Sequence, residues 1–369
     1  MKMATQPKYQ AIIEDILEKI HQDLYPPASL LPSENQMAKA YGVSVPTVRQ
    51  ALQELVHRGR IVRVKGKGTF VNSGELEENG FVGGNGQRSL QIISFLAYSE
   101  HSDHSVMRMI RSAQAYLMEK GYSMAVMFGD DNTQSEAELM QKSMELGVAG
   151  VLLFSANPNA SLDAITQLEQ AGIPLVFLDR ETDLQPCSVV TSYNVDGAYR
   201  MARHHLENGH RRIVYATDTT RLTTERARIT GFRLALRQAG VADDEMMILE
   251  DVYAKPDILL QHIAAGATAV QCVNDKTALW VIQQLAREGI RVPDQVSVSG
   301  FDGTDQGLYS VPHLTTVMQP FEEMGRTAAS RLLKLIAGKG GHTQIYLPVE
   351  LIVKDSTAPL ASGSTTPQP

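Results

Sequence analysis

The first part of the chain repeats apolar residues at helical spacing. Residues 9–22 form one predicted helix, whose apolar stripe consists of Ile12, Ile13, Ile16, Leu17 and Ile20. A second helix is predicted after Ser33, because Ser33 and Gln36, three residues later, can form a capping box. Gly42 suits the C-terminal end of that helix. Two short helices are therefore expected before residue 43.

A third helix is predicted after Ser44, which suits the N-cap position. Its apolar positions point inward and are Val48, Ala51, Leu52 and Leu55. Its polar positions point outward and are Thr47, Arg49, Gln50 and Gln53. Two short helices joined by a few residues, the second with a polar outer face, are typical of a helix-turn-helix.

Alternating residues follow this helix and predict a β-hairpin. Val62 and Val64 alternate with Ile61, Arg63 and Lys65 in a first strand, and the chain returns through residues 69–71. The turn between them is Gly66-Lys67-Gly68. A tip of this composition lets the backbone approach DNA closely and neutralises phosphate or enters the minor groove.

The rest of the chain alternates short apolar runs with helical patterns. Candidate strands are residues 91–97, 123–129, 150–156, 174–179, 188–192, 212–218, 269–275 and 296–302. Strands separated by helices indicate parallel sheets with helices on both faces. About 265 residues fit two such sheets better than one.

Polar residues follow most of these candidate strands. They are Tyr98, Ser99, Asp130, Asp131, Ser155, Asp179, Arg180, Asp218, Asn274, Asp275 and Asp302. In open α/β sheets the ligand crevice lies outside the carboxyl ends of the strands. Carboxylates, amides and an arginine suit a neutral polyhydroxy ligand. A nucleotide is disfavoured because the chain has no GxxxxGK[ST] sequence.

The charge of the chain is unevenly distributed. The net charge is −7, but residues 1–71 carry ten Lys or Arg against six Asp or Glu. Five of these ten positive residues fall between Arg58 and Lys67. A basic head on an acidic body indicates a polyanion partner for the head alone.

Composition divides the chain into four parts. Residues 1–71 are the expected head, 72–89 a glycine-rich flexible linker, 90–355 the body and 356–369 a disordered tail. No apolar run is long enough to span a membrane. With two cysteines and no apolar signal core at the N-terminus, the chain is expected to be cytoplasmic.

The head resembles the gluconate-repressor (GntR) family of winged helix-turn-helix proteins. The segments LPSE, TVRQAL and GKGTFV occur in the order and spacing of that family. The resemblance implies DNA contacts by Ser33, Thr47, Arg49, Lys65, Gly66 and Lys67. Asn35, Ser44 and Gln50 complete the predicted DNA-binding set. Asn35 stands where many members have Arg, which favours adenine over guanine and is similar to the arabinose-repressor branch.

The body resembles the effector domain of the lac/galactose-repressor (LacI) family. The match is strongest in ERARITGFRLALRQAG and in the segment from AVQCVND through GFDGTDQG to LTTVMQP. The resemblance implies a periplasmic-binding-protein-like body of two Rossmann-like lobes crossed three times by the chain, with a small ligand between them. It places ligand contacts on Asp179, Arg226, Asn274 and Asp302. The loop after the first strand departs from the family, so Tyr98, Ser99 and His101 are candidate contacts only.

These observations favour a DNA-binding transcriptional repressor of carbohydrate metabolism controlled by a small sugar. Two heads on a homodimer would read a palindromic operator in double-stranded DNA. The alternatives are a cytoplasmic sugar-binding protein and an α/β enzyme acting on a sugar. No nucleophile elbow, HExxH or P-loop occurs, so no catalytic residue, metal or cofactor is expected. Asn274 and Asp302 could instead cap helices, and the identity of the sugar is left open.

Overall fold

The computed structural model describes most of the chain. The described residues are 8–22, 24–27, 29–57, 60–64, 68–71, 91–98, 104–130, 133–218 and 222–360. Several predictions fall outside them, namely the hairpin tip Lys65, Gly66 and Lys67, the linker 72–89, and the loop residues Ser99 and His101. The chain separates into two compact units, residues 1–90 and 91–369, which are called the head and the body below.

The head contains three helices and a two-stranded sheet, as the pattern predicts. They are α1 (Lys8–His21), α2 (Glu34–Tyr41), α3 (Val45–His57), β1 (Ile61–Val64) and β2 (Gly68–Val71). The capping box forms, since the Ser33 hydroxyl accepts from the Gln36 amide while the Gln36 side chain accepts from the Ser33 amide. Gly42 ends α2 in the left-handed conformation at φ 63°. The helix-turn-helix is therefore positioned by local sequence signals.

The core of the head joins all three helices to the hairpin. Its buried side chains include Ile12, Ile16, Val48, Leu52, Leu55 and Ile61. In the hairpin, β1 pairs antiparallel with β2, and Ile61 lies opposite Val71. The four positions predicted to point inward on α3 are fully buried, so the polar face of that helix is left outside.

The body begins with a lobe that we call the N-lobe. Its sheet has the order β13-β7-β6-β5-β3-β4 and is parallel throughout. Its strands are β3 (Ile92–Tyr98), β4 (Ser123–Gly129), β5 (Gly150–Phe154), β6 (Leu175–Leu178), β7 (Val189–Ser192) and β13 (Gln344–Leu347). Its helices are α4 (His104–Glu119), α5 (Thr133–Glu145), α6 (Leu162–Gln170) and α12 (Phe321–Ile336). One core lies beneath α4 and α12 and another beneath α5 and α6, so helices cover both faces.

The C-lobe repeats this arrangement. Its sheet has the order β14-β12-β11-β10-β8-β9. Its strands are β8 (Ile213–Ala216), β9 (Met247–Leu249), β10 (Ala269–Cys272), β11 (Ser297–Asp302), β12 (Thr315–Met318) and β14 (Glu350–Ile352). Its helices are α7 (Asn194–Glu207), α8 (Thr223–Gln238), α9 (Pro256–Ala264), α10 (Asp275–Arg287) and α11 (Asp305–Leu308). The edge strand β14 runs antiparallel to β12, which the alternating pattern did not predict.

The chain passes between the lobes three times. It crosses from β7 to α7, returns from β12 to α12, and crosses again from β13 to β14. Helices α7 and α8 pack closely in the C-lobe, where a Cβ atom on Gly231 would collide with the carbonyl oxygen of Val195. The two-lobed fold class expected for the body is thereby confirmed, and the carboxyl ends of both sheets face one interlobe cleft.

Two predictions about the body need correction. Four short strands were not predicted, namely β9, β12, β13 and β14. The boundary at Ser356 is also wrong, because residues 356–360 pack on the C-lobe. Ser356 is fully buried, and its hydroxyl donates to the Val298 carbonyl oxygen at 2.6 Å. These residues form hydrogen bonds with the C-lobe through their backbone and their small polar side chains. A segment rich in Pro, Ser and Thr gives no sign of such packing in its sequence.

Candidate functional site

The outer face of the helix-turn-helix carries the predicted DNA-binding residues. Ser33, Asn35, Ser44, Arg49 and Gln50 are exposed. Thr47 is half-buried, and its hydroxyl is 2.8 Å from that of Ser44 at the start of α3. A helix N-terminus with short polar side chains can meet phosphates and base edges in the major groove. The described part of the head thus brings the predicted residues of α2 and α3 to one polar surface.

One carboxylate organises the basic residues of this surface. Glu34 accepts two hydrogen bonds from Arg49, at 2.9 and 3.1 Å, and one from Arg63 at 2.8 Å. These bonds connect α2, α3 and β1. Sequence reasoning missed Glu34 because a first-turn acid normally indicates only helix capping. The carboxylate holds two guanidinium groups in fixed positions before any DNA is bound.

In the body, two aspartates mark equivalent strand ends in the two lobes. Asp179 directly follows β6 of the N-lobe, and Asp302 ends β11 of the C-lobe. Both have positive backbone angles, φ 62° and φ 113°. Positive φ is uncommon for residues other than glycine, and such residues cluster at ligand sites. Both were predicted ligand contacts, and the structure places them at the carboxyl ends of the two sheets.

Arg228 is the central buried cation of the C-lobe side of the cleft. Its Nη1 lies 3.3 Å from a carboxylate oxygen of Asp302 and donates to the Val273 carbonyl oxygen at 2.8 Å. Its Nε donates to the Asn194 side-chain oxygen at 2.8 Å. The guanidinium lies 3.8 Å from the centre of the Phe301 ring. These contacts hold the guanidinium group in place, with its Nη1 atom beside the Asp302 carboxylate.

Arg226, the predicted ligand contact on this helix, lies at the rim of the cleft, and its contact with a ligand stays a prediction. Arg226 is partly exposed, and its Nη2 lies 2.5 Å from Asp183 in the loop after β6. Arg226 and Arg228 are two residues apart, and therefore lie about 200° apart around the helix. Arg228 lies three residues before Gly231, whereas Arg226 lies five before it. The arginine of α8 beside Asp302 is therefore Arg228, whereas Arg226 contacts the other lobe at the cleft rim.

A second arginine enters the cleft from the N-lobe. Arg180 lies over the rings of Tyr98 and Phe154, 4.9 Å from each ring centre. These two rings stack on each other at 5.2 Å. Arg180 also donates to the Ser155 carbonyl oxygen at 3.3 Å. Tyr98, a predicted contact, thus supports the arginine, and Arg180 is a site residue that the sequence placed at a strand end without assigning it a role.

Asn274 occupies the predicted strand end but also caps a helix. Its side-chain oxygen accepts from the Thr277 amide at 2.8 Å at the start of α10. The next residue, Asp275, is fully buried and accepts from Thr304 and Thr316. Burial raises the pKa of Asp275 to about 7, and the neighbouring Asp302 acts in the same direction. Asp275 therefore anchors the segment that carries Asp302.

Three buried acceptor atoms around the two arginines lack a hydrogen-bond donor among the described residues. They are Asp179 Oδ1, Glu225 Oε2 and Gln319 Oε1. The residues are 7%, 8% and 2% exposed. Gln319 uses its amide nitrogen to donate to Asp302 at 2.8 Å. Buried acceptors without donors are costly, so this cluster is complementary to a molecule that donates hydrogen bonds.

An open cavity adjoins the cluster between the two lobes. Its volume is about 260 Å³, and its walls include Asp179, Thr191, Asn194, Thr224 and Tyr346. Asn194 connects it to Arg228 through the hydrogen bond given above. The volume is near the lower end of the range of roughly 300–1,000 Å³ common for small-molecule pockets. The site thus has room beside its polar cluster for a small ligand.

Neither a metal centre nor a membrane span is found in the described part of the chain. No group of three or more His, Cys, Asp or Glu side chains there is arranged to hold a metal ion. No helix among those described has the length and apolar character needed to cross a bilayer. Both cysteines, Cys187 and Cys272, are buried thiols.

Two family models match the two units of the chain. Residues 8–71 match the model for bacterial regulatory proteins of the gntR family. Residues 202–357 match the model for a periplasmic binding protein-like domain. The first match covers the described head, and the second covers most of the C-lobe together with α12 and β13 of the N-lobe.

Two relatives match the chain along nearly its whole length. The chain is 30% identical over 370 residues to the arabinose metabolism transcriptional repressor of Halalkalibacterium halodurans, covering 95% of this chain and 96% of the relative. It is 29% identical to the arabinose metabolism transcriptional repressor of Geobacillus stearothermophilus, covering 97% and 99%. The crystal structure of a LacI family transcriptional regulator from Enterococcus faecium with bound ribose is 27% identical, with a TM-score of 0.64. That match covers 73% of this chain and 100% of the other.

Proposed function

The chain belongs to the family of the arabinose metabolism transcriptional repressors, and from this membership we propose that it represses carbohydrate-metabolism genes under the control of a small sugar. The head binds operator DNA, and the cleft of the body binds the sugar. Closure of the two lobes around the ligand changes operator affinity. Since a ligand shifts such an equilibrium only through its differential affinity, closed and open lobes must differ in their affinity for DNA.

The three buried acceptors without donors carry the sugar proposal. Asp179, Glu225 and Gln319 converge from both lobes on the guanidinium groups of Arg180 and Arg228. Vicinal hydroxyl groups of a sugar donate to carboxylate and amide oxygens and accept from guanidinium groups. A ligand of this kind satisfies all three orphan acceptors at once. A purely apolar ligand would leave them unsatisfied at a cost of about 1–3 kcal/mol each.

A pentose is the first ligand to test. The relatives named above act in arabinose metabolism, and the similar LacI family regulator contains ribose. The cavity of about 260 Å³ matches a ligand of this size class better than a large one. Arabinose and ribose are therefore the first sugars to test, and binding experiments will distinguish between them.

DNA binding is proposed to use a homodimer. The exposed residues of α2 and α3 form a single small reading surface, which by itself contacts few base pairs. Two heads related by two-fold symmetry read a palindromic site with two half-sites. The C-lobe offers a surface for such a dimer, since Tyr309 and Val311 are 79% and 90% exposed next to β12.

This function does not require catalysis. The groups that converge in the cleft are two arginines, carboxylates and an amide, whose hydrogen bonds hold one another in place. None of the relatives named above is described as an enzyme. We propose that the protein is a regulator without enzymatic activity. It acts in the cytoplasm, because the operator DNA is located there.

The experiment combines operator selection with ligand titration. Full-length protein selects its operator from a random DNA library, and fluorescence anisotropy measures its affinity. Sugars that bind the protein by calorimetry are then added. A change of about 5–150-fold in operator affinity is expected. Unchanged affinity with every sugar that binds would overturn the proposed control, and absence of any selected sequence would overturn the repressor function.

A further inference from the structure

Glu225 is a buried acid beside the cleft, and the described part of the fold provides a partner for only one of its two carboxylate oxygen atoms. It is the third residue of α8, in the C-lobe, and only 8% of it is exposed. The backbone N–H of Leu222, the N-cap residue, donates to its carboxylate. This bond is the usual contribution of a glutamate at the third helical position. It accounts for one oxygen atom, while Oε2 has no partner among the described residues.

Glu225 lies beside the ligand cleft, because it follows Thr224, a wall of the cavity, and shares a face of α8 with Arg228, three residues later. Its strongest favourable charge interactions are with Arg180 of the N-lobe and Arg228 of its own helix. Asp218, which follows β8, acts against them. Burial raises the pKa of Glu225 to about 7 in spite of the two arginines, so water is largely excluded from this carboxylate.

Neither arginine offers its full donor set to an anionic ligand. Arg228 already donates to Val273 and Asn194 and pairs with Asp302. Arg180 donates to Ser155 and lies 4.9 Å from the centres of two aromatic rings. Since Arg228 pairs with Asp302, the carboxylates of Asp179 and Glu225 face one remaining arginine, Arg180. A phosphate or carboxylate placed there would add a further negative charge to two carboxylates and one guanidinium group.

We propose that Glu225 binds the ligand directly and restricts the cleft to uncharged sugars, excluding sugar phosphates and sugar acids. In its ionised form, Glu225 accepts the hydrogen of one sugar hydroxyl at Oε2 and repels an anionic substituent. This inference rests on the proposed sugar-binding function and adds both a binding residue and a ligand class to it. Excluding phosphorylated forms makes the protein a sensor of free sugar, before any phosphorylation step.

The test uses Glu225→Gln in the full-length protein. Gln at the third helical position can still accept from the N-cap amide, so the helix cap is preserved while the charge is removed. Calorimetry at about pH 8, where Glu225 is mostly ionised, compares neutral L-arabinose, D-ribose, D-xylose, D-glucose and D-galactose with D-ribose 5-phosphate and D-glucose 6-phosphate. The wild-type protein is expected to bind at least one neutral sugar and to bind neither phosphate measurably.

The variant is expected to weaken binding of the neutral sugar by about tenfold or more, the usual effect of losing a hydrogen bond to a charged group. In the same variant, the difference in affinity between D-ribose and D-ribose 5-phosphate should be smaller than in the wild-type protein. Glu322→Gln is the matched control, since Glu322 is also a first-turn acid but pairs with Arg108 on the N-lobe surface. It should leave all affinities unchanged within about twofold.

The outcomes separate this inference from the function on which it rests. Unchanged sugar affinity in Glu225→Gln, or tighter binding of a phosphate than of its parent sugar by the wild type, would overturn the role of Glu225 alone. Absence of binding by any neutral sugar would overturn sugar sensing and this inference together. A drop in affinity in both Glu225→Gln and the Glu322→Gln control would show a general structural effect and would also reject the proposal.

Discussion

Arg226 of α8 and Asp183 of the loop after β6 form an ion pair of 2.5 Å that joins the two lobes at the rim of the cleft. Their side chains are 41% and 48% exposed. Near them, the Thr223 hydroxyl donates to the Glu181 carbonyl oxygen at 3.4 Å. Because the partners belong to different lobes, these contacts exist only when the lobes are close together. They stabilise the closed arrangement of the two lobes.

Removing this ion pair should weaken sugar binding slightly. Exposed pairs contribute about 0.2–1 kcal/mol, and closure is expected to accompany ligand binding. Asp183→Asn and Arg226→Gln should therefore each lower sugar affinity by about two- to fivefold, and the double variant should lose no more than either single one. Calorimetry measures these affinities. Arg203→Gln breaks a pair within α7, Arg203 with Glu207, and should have no effect; an equal loss in that variant would refute the interlobe explanation.

Asp302→Asn should abolish the response to sugar while preserving DNA binding. Asp302 pairs with Arg228 at 3.3 Å and accepts from Gln319 at 2.8 Å. Without its charge, Arg228 keeps the Asn194 and Val273 contacts but loses its carboxylate partner. A loss of about 2–4 kcal/mol in sugar binding, or about 30- to 1,000-fold, is expected. Operator affinity measured by anisotropy without sugar should stay within twofold of wild type, and a parallel loss of DNA binding would contradict a role confined to the ligand.

Arg226 and Arg228 of α8 illustrate how much of the candidate site can be predicted from the sequence. Arg226 and Arg228 stand in the same motif, and a resemblance alone does not distinguish them. The face of α8 that meets the cleft depends on how the helix packs against α7. Gly231 marks that packing, because a side chain there would collide with Val195. Residues three apart share a helix face and residues five apart do not, so the spacing to Gly231 contained a usable signal for Arg228.

The head was predictable from the sequence because capping residues, apolar periodicity and turn glycines all agree there. Other features of the fold had no comparable signal in the sequence. Strands β9, β12, β13 and β14 have three or four residues each, which is too short for a reliable alternating pattern. Glu225 and Glu34 look like ordinary first-turn acids of α8 and α2. The contacts of Glu34 with Arg49 and Arg63, and the position of Glu225 near Arg180, involve other elements and appear only in the folded chain.

Glu34→Gln should change how the head binds DNA. The carboxylate of Glu34 now neutralises Arg49 and Arg63. Its removal leaves both guanidinium groups available to phosphates, so affinity for random-sequence DNA should rise several-fold. The slope of log affinity against log salt should become steeper by about 1–2, since each added phosphate contact contributes about 0.9.

Anisotropy titrations with random-sequence DNA at several salt concentrations measure this slope. Glu18→Gln is the matched control, because it removes the same charge from α1, where Glu18 contacts only Gln22 among the hydrogen bonds described. An unchanged slope in Glu34→Gln would show that Arg49 and Arg63 do not reach phosphates.

Two buried carboxyls of the body, Glu225 and Asp275, should contribute less to its stability as pH rises from about 5 to 7. Burial raises the pKa of Glu225 and of Asp275 to about 7 each, whereas both groups release their protons near pH 4 in an unfolded chain. Between these values the two carboxyls bind more protons in the folded state, so their contribution to the free energy of unfolding decreases with pH. The decrease is about 1.4 kcal/mol per pH unit for each carboxyl. His204, His205 and His210, whose pKa values are lowered by burial, act in the opposite direction.

Urea unfolding of the full chain at pH 5, 6 and 7 measures this slope. The single tryptophan, Trp280, lies in α10 of the C-lobe and reports on the lobe that contains both acids. Glu225→Gln removes one of the two carboxyls and should make the slope of unfolding free energy against pH more positive by about 1.4 kcal/mol per pH unit. A slope that is the same in Glu225→Gln and in the wild type would contradict a raised pKa of Glu225.

Residues 356–360 should be required for a stable C-lobe, although their composition resembles a loose tail. Ser356 bonds the Val298 carbonyl oxygen and the Thr315 amide at 2.6 and 2.8 Å, and His210 contacts the Ala358 carbonyl oxygen at 3.0 Å. A chain that ends at Asp355 loses these bonds and leaves buried groups of β11 and β12 unpaired. At about 1 kcal/mol per bond, the loss is about 3 kcal/mol, which corresponds to a decrease in Tm of about 6–12 °C. Thermal unfolding followed by Trp280 fluorescence should show this decrease relative to a chain that ends at Leu360. Equal Tm values for the two chains would mean that the packing of Ser356 adds nothing to the stability of the lobe.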